Sequence, residues 1–537
     1  MIFARCRPPS LGHSYLFIRN GIHNPNRLHR ILSTSSRRHH DGRTYTEALE
    51  LLTGLQSNRA ITSSISNSST SMNALAIPEM ISWTRKAGYE VEDFVKAGLS
   101  CIHVAGTKGK GSVCAMVEGI LRQYQNQGDR DMGRIGVYTS PHLISVRERI
   151  RIDGNPISEE LFAKYFFELW DRFSAQSNSN SMETRPGYFR YLTIMAFHTF
   201  MSEGVTNAVI ECGIGGEYDS TNILPANAVS VTAITKLGID HVGMLGDSIE
   251  QIAWHKAGIM KNGVPAFSVV QSPEAEAVLT QRAAERGAAF AVQERMALLD
   301  TGRVKLGLEG EFQKDNASLA ISVAASHLQN LGILSLNLDV ENQLPKQFRD
   351  GLETVSWPGR CQTYEDGKIT WLIDGAHTHE SLEAAASWYC RKLIEAGWMQ
   401  HNGSEKLVKT MLVFNQQDRD ASALLKTLLA NLKHEPDVNR PVLDQAVFCS
   451  NNPYKQDGDP DGQEAPVDTS VQKVLAGTFW SQDKTTACFV FGSIEEAVKH
   501  ARSTALDLHE NQKLMVFVTG SLYLVGGLLQ VLEDTDS

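Results

Sequence analysis

Seven consecutive residues, Gly106-Thr107-Lys108-Gly109-Lys110-Gly111-Ser112, have the composition of an anion cradle. Glycines let the backbone turn successive N–H groups inward around phosphate oxygens, a lysine adds a positive point charge, and a helix starting there presents its positive end. The spacing departs from the G-x-x-x-x-G-K-[ST] loop, because residue 104 is valine and Gly111 follows Lys110 directly. The bland counterpart is a glycine turn with no ligand. Further along, Glu211 ends an apolar run and precedes Gly213-Ile214-Gly215-Gly216. A carboxylate there is either functional or simply a solvated strand end. A lone His241 reads first as structural.

These residues need a scaffold. Cys101 to Ala105 is a short buried-strand pattern, and after the glycine loop Val113, Met116, Val117, Ile120 and Leu121 fall on one helical face. Strand patterns follow at Ala208–Ile210, Val229–Ile234 and Ala266–Val270, with helical stretches at Leu161–Trp170 and Leu192–Phe200. This alternation predicts an α/β fold with a mainly parallel sheet covered on both faces. A second set begins after Trp357-Pro358-Gly359-Arg360. Its strands are Trp371–Ile373, Met411–Phe414, Val447–Phe448 and Met515–Val518, and its helices lie around Ser381–Ile394, Ala421–Leu432 and Ile494–Leu506. The expected organisation is a first domain over 41–350 and a second over 351–537, with the boundary between Leu344 and Trp357. Tyr45–Leu55 reads as helix and the Ser/Thr/Asn-rich Thr62–Ser71 as loop. The run 451–469, with Pro453, Pro460 and Pro466 among five acidic residues, is expected to be a mobile surface insertion.

At 537 residues the chain is too long for one core. Its 51 basic and 61 acidic residues give a formal charge of −10, which disfavours nucleic acid as a partner. Eight cysteines show no CxxC pair and no zinc-ligand spacing. Residues 1–40 contain no Asp or Glu but seven arginines. That bias is expected of a mitochondrial targeting segment, to the matrix or the inner membrane's surface, with a cytosolic form beside it. The apolar stretch Leu514–Leu532 is interrupted by Gly520, Gly526 and Gly527, so a strand, a turn and a short helix are expected there, and no integral membrane segment.

The loop resembles the G-T-x-G-K-G-S of the folylpolyglutamate synthase and dihydrofolate synthase family, which is related to the Mur ligases. Further blocks resemble the family in order: Thr139-Ser140-Pro141-His142-Leu143 with Glu148-Arg149-Ile150, then Glu211 to Gly216 leading to Thr221-Asn222. They continue with Leu237-Gly238-Ile239-Asp240-His241, Lys256-Ala257-Gly258-Ile259, Phe312-Gln313 with Asn316-Ala317, Trp357 to Arg360, and Asp374-Gly375-Ala376-His377. The resemblance spans about residues 45 to 530. It implies a P-loop Mur-ligase-like ATP-binding domain followed by a smaller Rossmann-like α/β domain. The implied chemistry is phosphorylation of a carboxylate by ATP and displacement of phosphate by an amine. It also implies ATP at Gly106–Ser112, Asn316, Arg360 and Asp374, with Lys110, Glu211, His241, Lys256 and His377 in catalysis.

Two Mg²⁺ ions are implied, Ser140 and Glu211 holding one with Ser112 near it and His241 the second; a monovalent cation belongs to the same expectation. Arg149 and His377 resemble the residues that hold glutamate. Lys256 corresponds to a lysine that is carbamylated in the family. Relatives commonly place Glu before it where this chain has His255, and the alternative is a cationic lysine that contacts phosphate directly. Chain length, the amino-terminal segment, Asp374 to Thr378 and the run Phe414-Asn415 to Asp418-Arg419-Asp420 resemble eukaryotic members that extend the glutamate tail of a folate. Folate and L-glutamate are then the substrates and a monomer is expected. The rivals are addition of glutamate to dihydropteroate, a P-loop kinase or nucleotide switch, and a non-catalytic binding module. No N-K-x-D base-reading motif follows the loop.

Overall fold

The computed structural model describes residues 43–535 apart from 66–68, 126–131, 176–184, 336–343, 399–400, 403–404, 418–419, 435–441 and 455–466. The targeting segment over 1–40, Asp418-Arg419 and the middle of the 451–469 run therefore lie outside the described residues.

Two sheets organise the chain. The first holds β1 (Ser100–Ala105), β2 (Arg134–Tyr138), β3 (Ile150–Ile152), β4 (Asn155–Pro156), β5 (Val205–Glu211), β6 (Val229–Ile234), β7 (Pro265–Val269) and β8 (Ala289–Gln293) in the order β4-β3-β2-β5-β1-β6-β7-β8. Along the order β2-β5-β1-β6-β7-β8 every pair is parallel, and β3 runs antiparallel to both of its neighbours, β2 and β4. The second sheet holds β9 (Gln362–Asp366), β10 (Ile369–Ile373), β13 (Val408–Phe414), β14 (Gln445–Cys449), β15 (Ala487–Phe491) and β16 (Lys513–Thr519), in the order β15-β14-β13-β16-β10-β9. Its pairs are parallel except β9 with β10. A two-residue hairpin, β11 (His401–Asn402) with β12 (Glu405–Lys406), stands apart from both.

Both sheets are apolar on both faces, as parallel strands covered by helices must be. In the first, Cys101, Tyr138, Ala208 and Ile210 face the helices Glu159–Ala175 and Tyr188–Ser202, while Ile102, Val104, Val137 and Val209 face Lys110–Arg122 and Gln313–Asn330. In the second, Leu372, Leu412, Phe448 and Phe517 build one core, and Trp371, Val413, Val447 and Val516 the other. The period of two along each strand sorts the residues. The α/β expectation holds, and most strands and helices read from the sequence lie where expected with longer ends; the strand expected over Ala266–Val270 runs over Pro265–Val269, and the helix expected over Tyr45–Leu55 continues to Ile65. The stretch Leu514–Leu532 is indeed a strand and a helix, Lys513–Thr519 and Leu522–Thr535. Among the described residues no helix is long and apolar enough to cross a membrane.

One expectation is corrected. Helices run over Tyr45–Ile65 and Ser69–Lys86, so most of Thr62–Ser71 is helical, not loop. Ser, Thr and Asn disfavour a helix interior only weakly, and this stretch lacks the Gly or Pro that would break one.

The helix Lys346–Thr354 packs against Lys110–Arg122 with the backbones of Gly119 and Gly351 in contact; a Cβ on Gly119 would stand 2.8 Å from the Gly351 carbonyl oxygen. The chain then passes through Trp357 to Arg360 into the second sheet, so the link between sheets starts on the helix that follows the glycine loop.

Candidate active site

The cradle lies at the carboxyl end of β1, the location where open parallel sheets bind ligands. Gly106 has φ +148 and Gly109 φ +89. A Cβ on Gly106 would lie 1.8 Å from Thr235 Oγ1, and one on Gly109 2.4 Å from Asn316 Oδ1, so neither position admits a side chain. The N–H groups of Thr107 and Lys108 both donate to the Lys236 carbonyl at 3.0 Å, and Thr107 Oγ1 exchanges hydrogen bonds with the backbone of Gly238. Gly109 caps the helix Lys110–Arg122 in the left-handed conformation, leaving the positive helix end open beside the loop.

Two lysines converge on this loop. Lys256 Nζ donates to the Gly106 carbonyl at 2.7 Å and Lys110 Nζ to the same oxygen at 3.2 Å. Lys110 Nζ also stands 3.9 Å from Glu211 Oε1, while Glu211 Oε2 accepts from the Ser140 N–H at 3.0 Å. Burial pushes the Glu211 carboxyl up, against the pull of Lys110, the Ser140 amide, Arg360 and Arg149. Burial, reinforced by the charge of Lys110, brings the Lys256 amine down to about 7. Lys108 pairs with Asp240 at 3.4 Å.

The remaining expected residues distribute as follows. Ser112 is buried and its Oγ accepts from Gln313 Nε2 at 3.2 Å; Asn316 Nδ2 donates to Gln313 Oε1 at 2.8 Å, so Asn316 forms the loop's floor. His241 lies on the exposed turn after β6 with φ +53, its N–H on the Asp240 carboxylate. From the second sheet, Asp374 accepts from the N–H groups of Cys361 and Ala376; burial raises its carboxyl and Arg360 opposes this. Arg360 thus acts on the carboxylates at the ends of both β5 and β10. His377 Nδ1 meets the Gly375 carbonyl at 2.8 Å and leads into the helix His379–Glu395, whose Glu380 lies beside Gly238 in the loop after β6. Arg149 is buried with its Nε on His142 Nδ1 at 2.8 Å.

Metal fit follows from the donors. Among the described residues no cluster of three His, Cys, Asp or Glu side chains exists. Mg²⁺ commonly takes one carboxylate and completes its shell with waters and phosphate oxygens, so Glu211 with the hydroxyls of Ser112 and Ser140 suits it without such a cluster.

Sequence reading gave no role to three residues of this region, two of which, Gln313 and His142, lie in the blocks that resemble the family. Gln313 bridges Ser112 and Asn316. His142 holds Arg149. Asp219, buried, takes the N–H groups of Gly213, Ile214 and Thr221 and so shapes the glycine turn after Glu211. The invitation to a turn at Gly213–Gly216 was the only available sign of the last.

No protein-family model matches the chain. It is 42% identical over 514 residues to the folylpolyglutamate synthase of Saccharomyces cerevisiae strain YJM789, covering 92% of this chain and 88% of that protein. The chain belongs to the folylpolyglutamate synthase family. The folylpolyglutamate synthase of Mycobacterium tuberculosis, solved with ADP and AMPPCP, is similar at 25% identity with a TM-score of 0.61, over 85% of this chain and 97% of that one. The apo form of the L. casei enzyme matches at 21% identity with a TM-score of 0.63, over 91% of this chain and 100% of that one, which speaks to the fold alone. The two-sheet architecture is thus the family's, and its glycine loop is the element in this chain suited to nucleotide phosphates.

Proposed function

We propose that this chain joins L-glutamate to the γ-carboxylate of a folate or folylpolyglutamate, cleaving ATP to ADP and phosphate. The observation that carries it is the meeting of Lys110, Lys256 and Glu211 on one glycine loop within a chain 42% identical to a folylpolyglutamate synthase.

Amide formation from a carboxylate and an amine in water is uphill. A γ-carboxylate oxygen attacks the ATP γ-phosphorus, the bond to ADP breaks, and an acyl phosphate results. The glutamate amine then attacks the acyl carbon and phosphate leaves, carrying the original carboxylate oxygen. Phosphoryl transfer requires positioning and charge neutralisation. In this reading Lys110 and the loop amides other than those of Thr107 and Lys108, which are taken by the Lys236 carbonyl, hold the β- and γ-phosphates. Arg360 and Asp374 reach ATP from the second sheet, Asn316 lies toward the nucleotide base, and Arg149 and His377 hold glutamate. Enclosure between the sheets keeps water from the acyl phosphate.

Glu211, Ser140 and Ser112 would hold one Mg²⁺ and His241 a second, and such ions supply neutralisation of phosphate charge. A neutral Lys256 amine can add CO₂ and release a proton, giving a carbamate that would support the second ion. The depressed Lys256 amine supports that modification. The reading also places the first domain over 41–350 and the second over 351–537, addresses the chain to mitochondria through residues 1–40 with a cytosolic form beside it, and takes the molecule as a monomer.

The test supplies ATP, labelled L-glutamate and either tetrahydrofolate or dihydropteroate to protein lacking residues 1–40, and reads product length by mass spectrometry. Lengthened tetrahydrofolate conjugates support the proposal. Labelling of dihydropteroate alone would reassign the substrate, and no amide product with either would overturn ligation. Oxygen-18 in the γ-carboxylate should appear in released phosphate.

A further inference from the structure

The last helix, Leu522–Thr535, presents one face to three loops that carry site residues. Leu522, Val525 and Gly526, spaced i, i+3 and i+4, share that face. A Cβ on Gly375, next to Asp374, would stand 2.2 Å from Leu522 Cδ2 and 2.8 Å from Arg360 Nη1. One on Gly359, before Arg360, would stand 2.8 Å from Val525 Cγ1 and 3.3 Å from Leu143 Cδ2. The third contact is backbone to backbone: a Cβ on Gly526 would lie 2.2 Å from the Leu143 carbonyl oxygen and 3.0 Å from its carbon. Leu143 belongs to the loop between β2 and β3, yet it and Ile144 pack on the second sheet's core, which includes Val525 and Leu528. Glycine inside a helix costs stability relative to alanine, so two in succession require a reason. At Gly527 the obstacle to a Cβ is the mobile Ile494 Cδ1 at 2.4 Å, whereas at Gly526 it is a carbonyl held by its own loop.

That loop is tied together as one piece. The Glu148 carboxylate accepts from the N–H groups of Leu143, Ile144 and Ser145 at 2.7, 3.0 and 2.6 Å. Thr139 N–H closes the loop on the Arg149 carbonyl at 3.1 Å. Shortly before Leu143, the Ser140 N–H donates to Glu211 Oε2 at 3.0 Å. We propose that Gly526 is a positioning residue for ligation: the space left by its missing side chain seats Leu143, and the seat holds the Ser140 loop against Glu211. The Ser140 side of the candidate Mg²⁺ site is thereby set by the last helix of the second domain as well as by the first sheet. This rests on the ligase reading above. A side chain at position 526 must push the carbonyl back by about 1 Å to reach van der Waals separation. The hydrogen bonds to Glu148 carry such a displacement along the loop to Ser140, and an error of about 1 Å in a positioned group costs on the order of 100-fold in rate.

The experiment compares the full chain with Gly526→Ala, Leu143→Ala and Gly527→Ala. In Gly526→Ala, hydrogen exchange should show the segment 139–149 losing protection by about 10-fold, with the segment 106–112 unchanged. In the same variant kcat should fall by about 10- to 100-fold and the Mg²⁺ concentration that gives half the maximal rate should rise about 10-fold. Calorimetry with ADP in the absence of metal ion should give an affinity within about 3-fold of the parent, because the phosphate loop is untouched. Leu143→Ala empties the seat from the other side, leaves the helix unaltered and should give the same pattern; it carries the test if Gly526→Ala does not fold. Gly527→Ala alters the same helix one residue on and should keep the parent's exchange and Mg²⁺ requirement. Unchanged exchange over 139–149 with an unchanged Mg²⁺ requirement in the first two variants, or equal changes in Gly527→Ala, would overturn the seat. An unsubstituted chain without ligase activity sinks the ligase reading first, and hydrogen exchange then decides the seat alone.

Discussion

The Lys256 ammonium donates to the carbonyl of Gly106 at 2.7 Å, across 150 residues of sequence. It thereby ties the helix Ile249–Ala257 to the first turn of the phosphate loop. Lys110 reaches the same oxygen, and the proximity of a second cation is one cause of the depressed Lys256 amine, after burial. The loop is therefore braced by a group whose charge is only marginally held.

That charge gives stability a defined pH dependence. Lys256 titrates near 7 in the folded chain against 10.5 for an ordinary lysine. Between these values the unfolded chain binds the extra proton, so stability rises with pH across that window and the penalty is complete below about 7. Lys256→Met should raise the urea midpoint relative to the parent at about pH 6.5 and lose that advantage by about pH 9.5. A gain independent of pH would contradict the assignment. The same variant should lose ligase activity.

Gly106→Ala is expected to abolish nucleotide binding. The added Cβ meets Thr235 Oγ1 at 1.8 Å on a backbone with φ +148, a combination of clash and strain worth roughly 2 kcal/mol or more. Titration calorimetry with ADP checks this. Adding Thr235→Ala, which removes the clashing oxygen, should restore part of the stability but not all, because the backbone strain persists.

Gln313→Leu should raise the KM for ATP about tenfold and destabilise the fold by about 1 to 3 kcal/mol, since it strands the Ser112 hydroxyl and the Asn316 amide in a buried setting. Steady-state kinetics and urea unfolding separate the two effects. An unchanged KM would remove Gln313 from the support of the cradle.

Buried neutral histidines govern the acid side. Burial brings His327 down to about 4, and its two ring nitrogens meet Ser230 Oγ and Asn207 Oδ1. An unfolded histidine takes up its proton near 6.5, so this contribution is intact above that pH and is lost as pH falls toward 4. His327→Gln should flatten the fall of the urea midpoint between about pH 6.5 and about pH 4.5 by roughly one proton. His103, held down at about 3 by burial, should leave a residual slope.

The fold was legible where apolar alternation was strong. Val229–Ile234 and Ile494–Leu506 match the sequence reading at both ends, because their periodicity and capping residues agree with their packing. Arg134–Tyr138 and Ala487–Phe491 went unread. The first is short and begins with a charged residue, and the second is a sheet-edge strand. Thr62–Ser71 misled, since side-chain composition there favours turns more than it forbids helix.

For the site, the sequence determined the parts: a glycine loop with its lysines, Glu211 at a strand end before a glycine turn, and an ordered set of motifs that resembles one family. Which of these parts touch was decided only in three dimensions. Gln313 reaches Ser112 across 201 residues, and Arg360 acts on Glu211 and Asp374 at the ends of separate sheets. His142 becomes a partner of Arg149 because Glu148 folds the loop between them. Hydrogen bonds and charge interactions depend on separation in space and on burial, and neither is encoded in the spacing of residues along the chain until packing of the two sheets sets both.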